Sequence, residues 1–87
     1  MVPRRETAPY RKALGRIIRD RRVALDLSQE EVGFRAEVDR TYLSGLEAGA
    51  RNPTLETVMR VADALRVPPS ELLGAAEAAL ARDRRRR

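Results

Sequence analysis

Helix-start signals fall so close together in this chain that its middle can hold only short helices. Ser28-Gln29-Glu30-Glu31 has the form of a capping box: the serine hydroxyl accepts from the Glu31 amide while the Glu31 side chain reaches back to the cap. Asp39 follows as a second N-cap, its carboxylate suited to the positive end of a helix. Leu27 with Val32, and Val38 with Leu43, are spaced as hydrophobic staples across the two caps. The second segment therefore runs from Ser28 to near Ala36. The third runs from Asp39 to about Ala48-Gly49, with Leu43 and Leu46 turned inward.

Three further segments complete the chain. The first extends from about Pro9 to Asp26, where Leu14, Ile17, Ile18 and Leu25 form an apolar stripe of helical period. Arg21 stands where that stripe would continue, its aliphatic stem able to cover the core while its head reaches water. The fourth begins at Thr54, after Asn52-Pro53, with Leu55, Val58, Met59, Ala62 and Leu65 as its expected buried face. The fifth follows Pro68-Pro69, is expected to be capped by Ser70, and carries Leu72, Leu73, Ala76 and Leu80. No run alternates apolar and polar residues beside a hairpin turn, so the fold class is all-α. The expected organisation is a flexible segment over 1–8, one helical domain over 9–81 and a disordered basic tail over 82–87.

Composition narrows the chemistry. A chain of 87 residues suggests one domain, with no space for a ligand-sensing domain, so no small-molecule ligand is expected. There is no cysteine and no histidine, which excludes disulfides and thiolate metal sites and removes the commonest general base and the usual zinc ligand. With Lys12 as the only lysine, neither enzymatic activity nor a cofactor or metal is expected. No secretion pattern and no apolar run of about 20 residues appears, so the expectation is a soluble, cytoplasmic protein without a membrane partner.

The net charge of +5 is unevenly placed. Residues 1–27 hold eight bases against three acids, and residues 82–87 hold five arginines against Asp83. The stretch between them is acidic, with five bases against nine acids. A positive field of this kind suits a polyanionic partner, nucleic acid first, although arginine-rich ends also aid solubility.

Two short capped helices back to back, joined by Glu37-Val38 and flanked by apolar helices, make a helix-turn-helix arrangement. The first of the pair packs across the second, which then presents its N-terminal residues to the major groove. Arg40 and Thr41 follow the Asp39 cap at that end, and Ser44 lies one turn beyond Arg40. Arginine can bond guanine O6 and N7 in a fork, and threonine can donate to a base or meet a thymine methyl. Gly45 weakens this helix by roughly 1 kcal/mol relative to alanine. Close approach of DNA and a tight helix–helix contact are both open as its reason.

The stretch LSQEEVGFRAEVDRTYLSGLEAGARNPTLETVMRVADALRVPPSELL resembles the Cro/repressor (XRE-like) type of helix-turn-helix regulator, and most of all the controller proteins of restriction–modification systems. The matching features are the Leu27-Ser28-Gln29-Glu30-Glu31 start, the Leu46-Glu47-x-Gly49 end, the Arg51-Asn52-Pro53-Thr54-Leu55 link and the Ala62-x-x-Leu65 helix, in that order. The resemblance covers roughly Leu14 to Leu73. It implies a compact five-helix, lambda-repressor-like DNA-binding domain, with the helix-turn-helix at its second and third helices. It also implies that Gln29 clamps a phosphate and that Arg40, Thr41 and Ser44 read bases. Tyr42, Arg51 and Asn52 would touch the backbone or neighbouring bases, and Arg22 with Glu47 would form a structural ion pair tying the first helix to the third. Three positions depart from the pattern: Glu37 stands where the turn usually has Gly, Gly33 where a small Ala is usual, and Asp26 where Gly is common.

One reading helix spans few base pairs, so the expected partners are double-stranded operator DNA and a second copy of the chain, with half-sites about 34 Å apart. Leu72, Leu73, Ala76 and Leu80 are expected to form the dimer surface, the alternative being that they only close the core. A rival function is the antitoxin of a toxin–antitoxin pair, which binds DNA and a toxin. A protein-interaction module without DNA is disfavoured by Arg40-Thr41.

Overall fold

The computed structural model describes residues 7–86. The helices are α1 (Ala8–Ala24), α2 (Gln29–Ala36), α3 (Arg40–Glu47), α4 (Leu55–Ala64) and α5 (Pro69–Arg85), and no strand occurs among the described residues. The segment expected to be flexible lies, up to residue 6, outside the described residues. No helix among the described residues is long and apolar enough to cross a membrane.

The caps act as their residue types require. Ser28 Oγ accepts from the Glu31 N–H at 3.0 Å, and Glu31 Oε1 accepts from the Ser28 N–H at 3.1 Å. The backbone bond from Ser28, then the bond to its hydroxyl, favours the ionised carboxylate and draws the Glu31 pKa below its ordinary 4.5. Asp39 Oδ1 accepts from the Tyr42 N–H at 2.7 Å, and Thr54 Oγ1 from the Thr57 N–H at 3.1 Å. Ser70, expected to cap the last helix, does not: Pro68 is the N-cap and Pro69 the first helical residue, with no side-chain cap bond. Proline at the first helical position removes one of the unpaired donors and has its φ already helical, and the Glu71 N–H donates to the Pro68 carbonyl at 2.9 Å in place of a side-chain cap.

The core forms where α1 packs on α3 and α5, α2 packs on α3 and α4, and α4 meets α5. Its fully buried large side chains are Ile18, Leu43, Leu46, Leu65, Leu72, Val32 and Val61. Gly15 sets the α1–α3 crossing. A Cβ there would fall against the Leu46 carbonyl oxygen and 2.5 Å from that of Glu47, so only a glycine lets the two backbones approach this closely.

Two apolar faces differ from their expected positions. On α4, Leu55 is 70% and Met59 52% exposed, while Thr57, Val58, Val61, Ala62 and Ala64 are buried. The helix is flanked by α2 and α5, and the buried arc rotates toward both, leaving positions 55 and 59 at its outer margin. On α5, Leu72 and Ala76 are core residues of the chain itself and cannot be offered to a second copy; Leu73 is exposed and Leu80 half-buried. Leu25 also leaves the expected stripe, being exposed in the turn after α1.

The C-terminal boundary moves as well. Helix α5 continues through Arg82, Asp83, Arg84 and Arg85, residues expected to be disordered. Arginine is a good helix former, and its charge suits the negative end of the helix dipole. The Arg84 guanidinium lies 6.0 Å from the Tyr10 ring centroid on α1, and Arg21 Nη2 on α1 meets Glu71 Oε2 on α5 at 2.7 Å. Helices α1 and α5 are thus pinned at both ends, by contacts that solvent makes individually weak.

Each of the first four helices ends in a Schellman turn. The N–H groups of Leu27, Val38, Ala50 and Val67 reach back to the carbonyls of Arg22, Gly33, Gly45 and Ala62 at 2.9–3.1 Å. The residue just before each donor is left-handed: Asp26 (φ 58°), Glu37 (φ 59°), Gly49 (φ 78°) and Arg66 (φ 60°). Gly49 has the residue type that this conformation favours most and Asp26 one that tolerates it, whereas Glu37 and Arg66 do not. Replacing Glu37, whose side chain makes no hydrogen bond or ion pair among the described residues, by glycine is expected to raise stability by about 1 kcal/mol. In urea unfolding the midpoint should rise at unchanged slope; an unmoved midpoint would show that Glu37 bears no strain.

Candidate nucleic-acid interface

The recognition element grows out of the Asp39 cap. That cap fixes the direction of α3, and Leu43 and Leu46, at 0% and 1% exposure, anchor one face in the core. Arg40, Thr41 and Ser44 are all exposed, so the guanidinium and hydroxyls expected to read bases stand in solvent. Tyr42 differs from them, being half-buried and packed against the core. Arg51 and Asn52, in the link to α4, are exposed, and the Arg51 guanidinium carbon lies 5.5 Å from the Tyr42 ring centroid. Arg51, Tyr42 and the leading end of α3 therefore form one surface.

Gly45 makes no tight helix–helix contact within the chain. The three atoms nearest to where its Cβ would be all belong to the Arg51 side chain, none to another helix.

At the other end of α3 sits a nearly dry ion pair. Arg22 Nε donates to Glu47 Oε2 at 2.7 Å and Arg22 Nη2 to Glu47 Oε1 at 3.0 Å, a bidentate arrangement. The two side chains are only 13% and 4% exposed. Arg22 Nη1 also donates to the Leu27 carbonyl at 2.9 Å, and Gln29 Nε2 donates to Glu47 Oε1 at 3.1 Å. The hydrogen bond to Glu47 raises the Arg22 pKa above its ordinary value, against an opposing contribution from burial. The network joins the end of α1, the turn after it, the start of α2 and the end of α3. Gln29 belongs to it in a way the sequence pattern does not disclose. One amide N–H is committed to Glu47, leaving the second N–H and the carbonyl oxygen for any other partner. Sequence reasoning also passes over Gly15; its signal is a lone glycine in the middle of an otherwise regular amphipathic helix.

Comparison with known proteins gives the family. A helix-turn-helix family model matches residues 18–72. The chain belongs to the helix-turn-helix family. It is similar to the control protein C.BamHI of Bacillus amyloliquefaciens, 40% identical over 48 residues that span 55% of this chain and 59% of that protein. Among solved structures it is similar to the restriction-modification controller protein C.AhdI from Aeromonas hydrophila. That match has a TM-score of 0.69 and 39% identity, over 70% of this chain and 92% of the other. The clp gene regulator ClgR from Corynebacterium glutamicum superposes with a TM-score of 0.85 at 27% identity, over 88% of this chain and 82% of that one. The resemblance to helix-turn-helix regulators and controller proteins, and the five-helix lambda-repressor-like fold it implied, are both met.

The buried pair sets a measurable cost. Arg22→Met leaves the Glu47 carboxylate buried without its partner and is expected to cost about 3–5 kcal/mol. The double variant Arg22→Met with Glu47→Leu should recover most of that loss, because no orphaned charge remains. Equal destabilisation of the single and double variants in denaturant titrations would mean that packing, not charge, dominates.

Proposed function

We propose that this protein is a sequence-specific DNA-binding transcriptional regulator of the controller type, working as a homodimer on operator DNA. The observation that carries the reading is the exposed leading end of α3. Arg40, Thr41 and Ser44 face solvent on a helix whose other face is buried and whose angle is braced by the Arg22–Glu47 pair. Rigid placement of an arginine fork at a helix N-terminus suits guanine O6 and N7 in the major groove. In this reading Arg40, Thr41 and Ser44 read bases. Gln29, through its free amide N–H, and Arg51, Asn52 and Tyr42 position the backbone or adjoining bases. C.AhdI, which this chain matches over most of that protein's length, is a restriction-modification controller protein, and that supports the assignment.

Dimerisation supplies the sequence length that one short helix lacks. Two copies on a two-fold axis place their α3 helices about 34 Å apart on one side of the duplex. With Leu72 and Ala76 committed to the core, the side chains of that face left for a partner surface are Leu73 and Leu80 on α5. Occupancy is then steep in protein concentration, and control runs through the amount of protein present.

Two measurements test this reading. Arg40→Ala should weaken binding to the cognate duplex by about 1–3 kcal/mol and relax preference at one base position, with little change on random duplex; equal losses on both would remove Arg40 from base reading. Truncation after Ala81 removes five arginines outside the core. It should lower affinity for random duplex and make the salt dependence shallower, by about one unit of slope for each phosphate that is no longer neutralised. An unchanged slope would make the basic end a bystander.

A further inference from the structure

Gly45 lies within α3, where glycine weakens a helix, and the structure shows what occupies the space that a side chain would fill. A Cβ at this position would stand 3.1 Å from Arg51 Cγ, 3.4 Å from its Nε and 3.8 Å from its Cδ. The aliphatic stem of Arg51 thus lies across bare backbone. Its guanidinium continues to Tyr42, one turn earlier on the same helix, with the carbon 5.5 Å from the ring centroid. The turn after α3 brings the link back to this spot. Gly49 is left-handed at φ 78°, and the Ala50 N–H donates to the Gly45 carbonyl at 2.9 Å, so Arg51 begins its path beside Gly45.

We infer that Gly45 is a positioning residue for DNA recognition: its missing side chain is the seat for Arg51, and the Tyr42 ring is the rest for the Arg51 guanidinium. A loop arginine is thereby presented as part of the α3 surface before any DNA arrives. An unseated arginine loses rotamer freedom when it binds, whereas a seated one has already lost much of it. The helix gives up local propensity at position 45 and gains a preorganised cation against Tyr42. The inference rests on the DNA-binding reading above and adds to it the residue that sets the geometry of Arg51.

The test compares the wild type, Gly45→Ala, Arg51→Ala and the double variant. The probes are a duplex that the wild type selects from a randomised pool and a scrambled duplex of the same composition. Gly45→Ala is expected to keep or raise the melting temperature. It should lose about three- to tenfold in affinity for the selected duplex, the effect of leaving one long side chain to be ordered on binding. In the Arg51→Ala background the same substitution should cost nothing further. Without DNA, the Arg51 side-chain resonances should carry ring-current shifts that shrink in Gly45→Ala, where the stem must give way to the new Cβ, and persist in Tyr42→Phe. An equal loss in both backgrounds would mean that the new Cβ meets DNA directly, and would overturn the seat. Undiminished affinity, or Arg51 shifts unchanged by Gly45→Ala, would overturn it too. Failure of the wild type to select any duplex would instead overturn the regulator reading, and the DNA-free spectra would still judge the seat.

Discussion

The bidentate pair between Arg22 and Glu47 is the constraint around which the reading surface is built. Helices α2 and α3 have eight residues each, too short to hold their shape alone in water. Their mutual angle must therefore come from tertiary contacts. The pair supplies it by drawing the end of α1 to the end of α3, and its spare donors and acceptors take up Leu27 in the turn after α1 and Gln29 at the start of α2. Gly15 completes the arrangement by letting α1 and α3 approach to backbone contact. Burying two charges is a poor way to gain stability, because desolvation cancels much of the attraction. It is a good way to penalise wrong geometries, since any rotation of α3 would leave a carboxylate at 4% exposure without its partner.

The turns follow a related logic. Four successive helices end by the same hydrogen-bonding device, and two of them, at Glu37 and Arg66, place a side chain ill suited to it in a left-handed backbone. The conformations persist because the Schellman bonds satisfy carbonyls that would otherwise end a helix unpaired. Glu37 stands between the two helices of the helix-turn-helix, so its left-handed backbone fixes where α3 begins. Gly33 belongs to the same device. A Cβ on it would come 2.8 Å from the Val38 carbonyl oxygen, so the unusual glycine in α2 and the unusual glutamate in the turn belong to one local geometry.

Local signals are legible in the sequence and relative orientations are not. The caps at Ser28 and Asp39 depend only on a few neighbouring residues and form as expected, and Thr54, expected only to begin the fourth helix, caps it by the same local means. The buried phase of α4 depends on two flanking helices at once. A stripe chosen by spacing therefore keeps Leu55 and Met59 and passes over Val61 and Ala64. Leu72 and Ala76 go to a partner on sequence grounds because the apolar richness of a terminal helix does not say which side its own core will claim. The seating of Arg51 on Gly45 needs the path of a loop, which no periodicity encodes.

Charge placement separates attraction from discrimination. The arginines of α1 and of the α5 end carry the positive field, while residues 28–81 are acidic overall. Within that acidic stretch, Arg40 and Arg51 sit on the proposed reading surface, whereas Glu30, Glu31 and Glu37 lie on or beside α2. Long-range attraction to a polyanion falls off with salt and carries no sequence information. A reading surface that contributes little to that attraction must draw its affinity from fitted contacts, and so from the rigidity of the Arg22–Glu47 brace and the Arg51 seat. Removing distant arginines would then weaken binding to all DNA alike, while loosening the brace would erode the difference between one sequence and another.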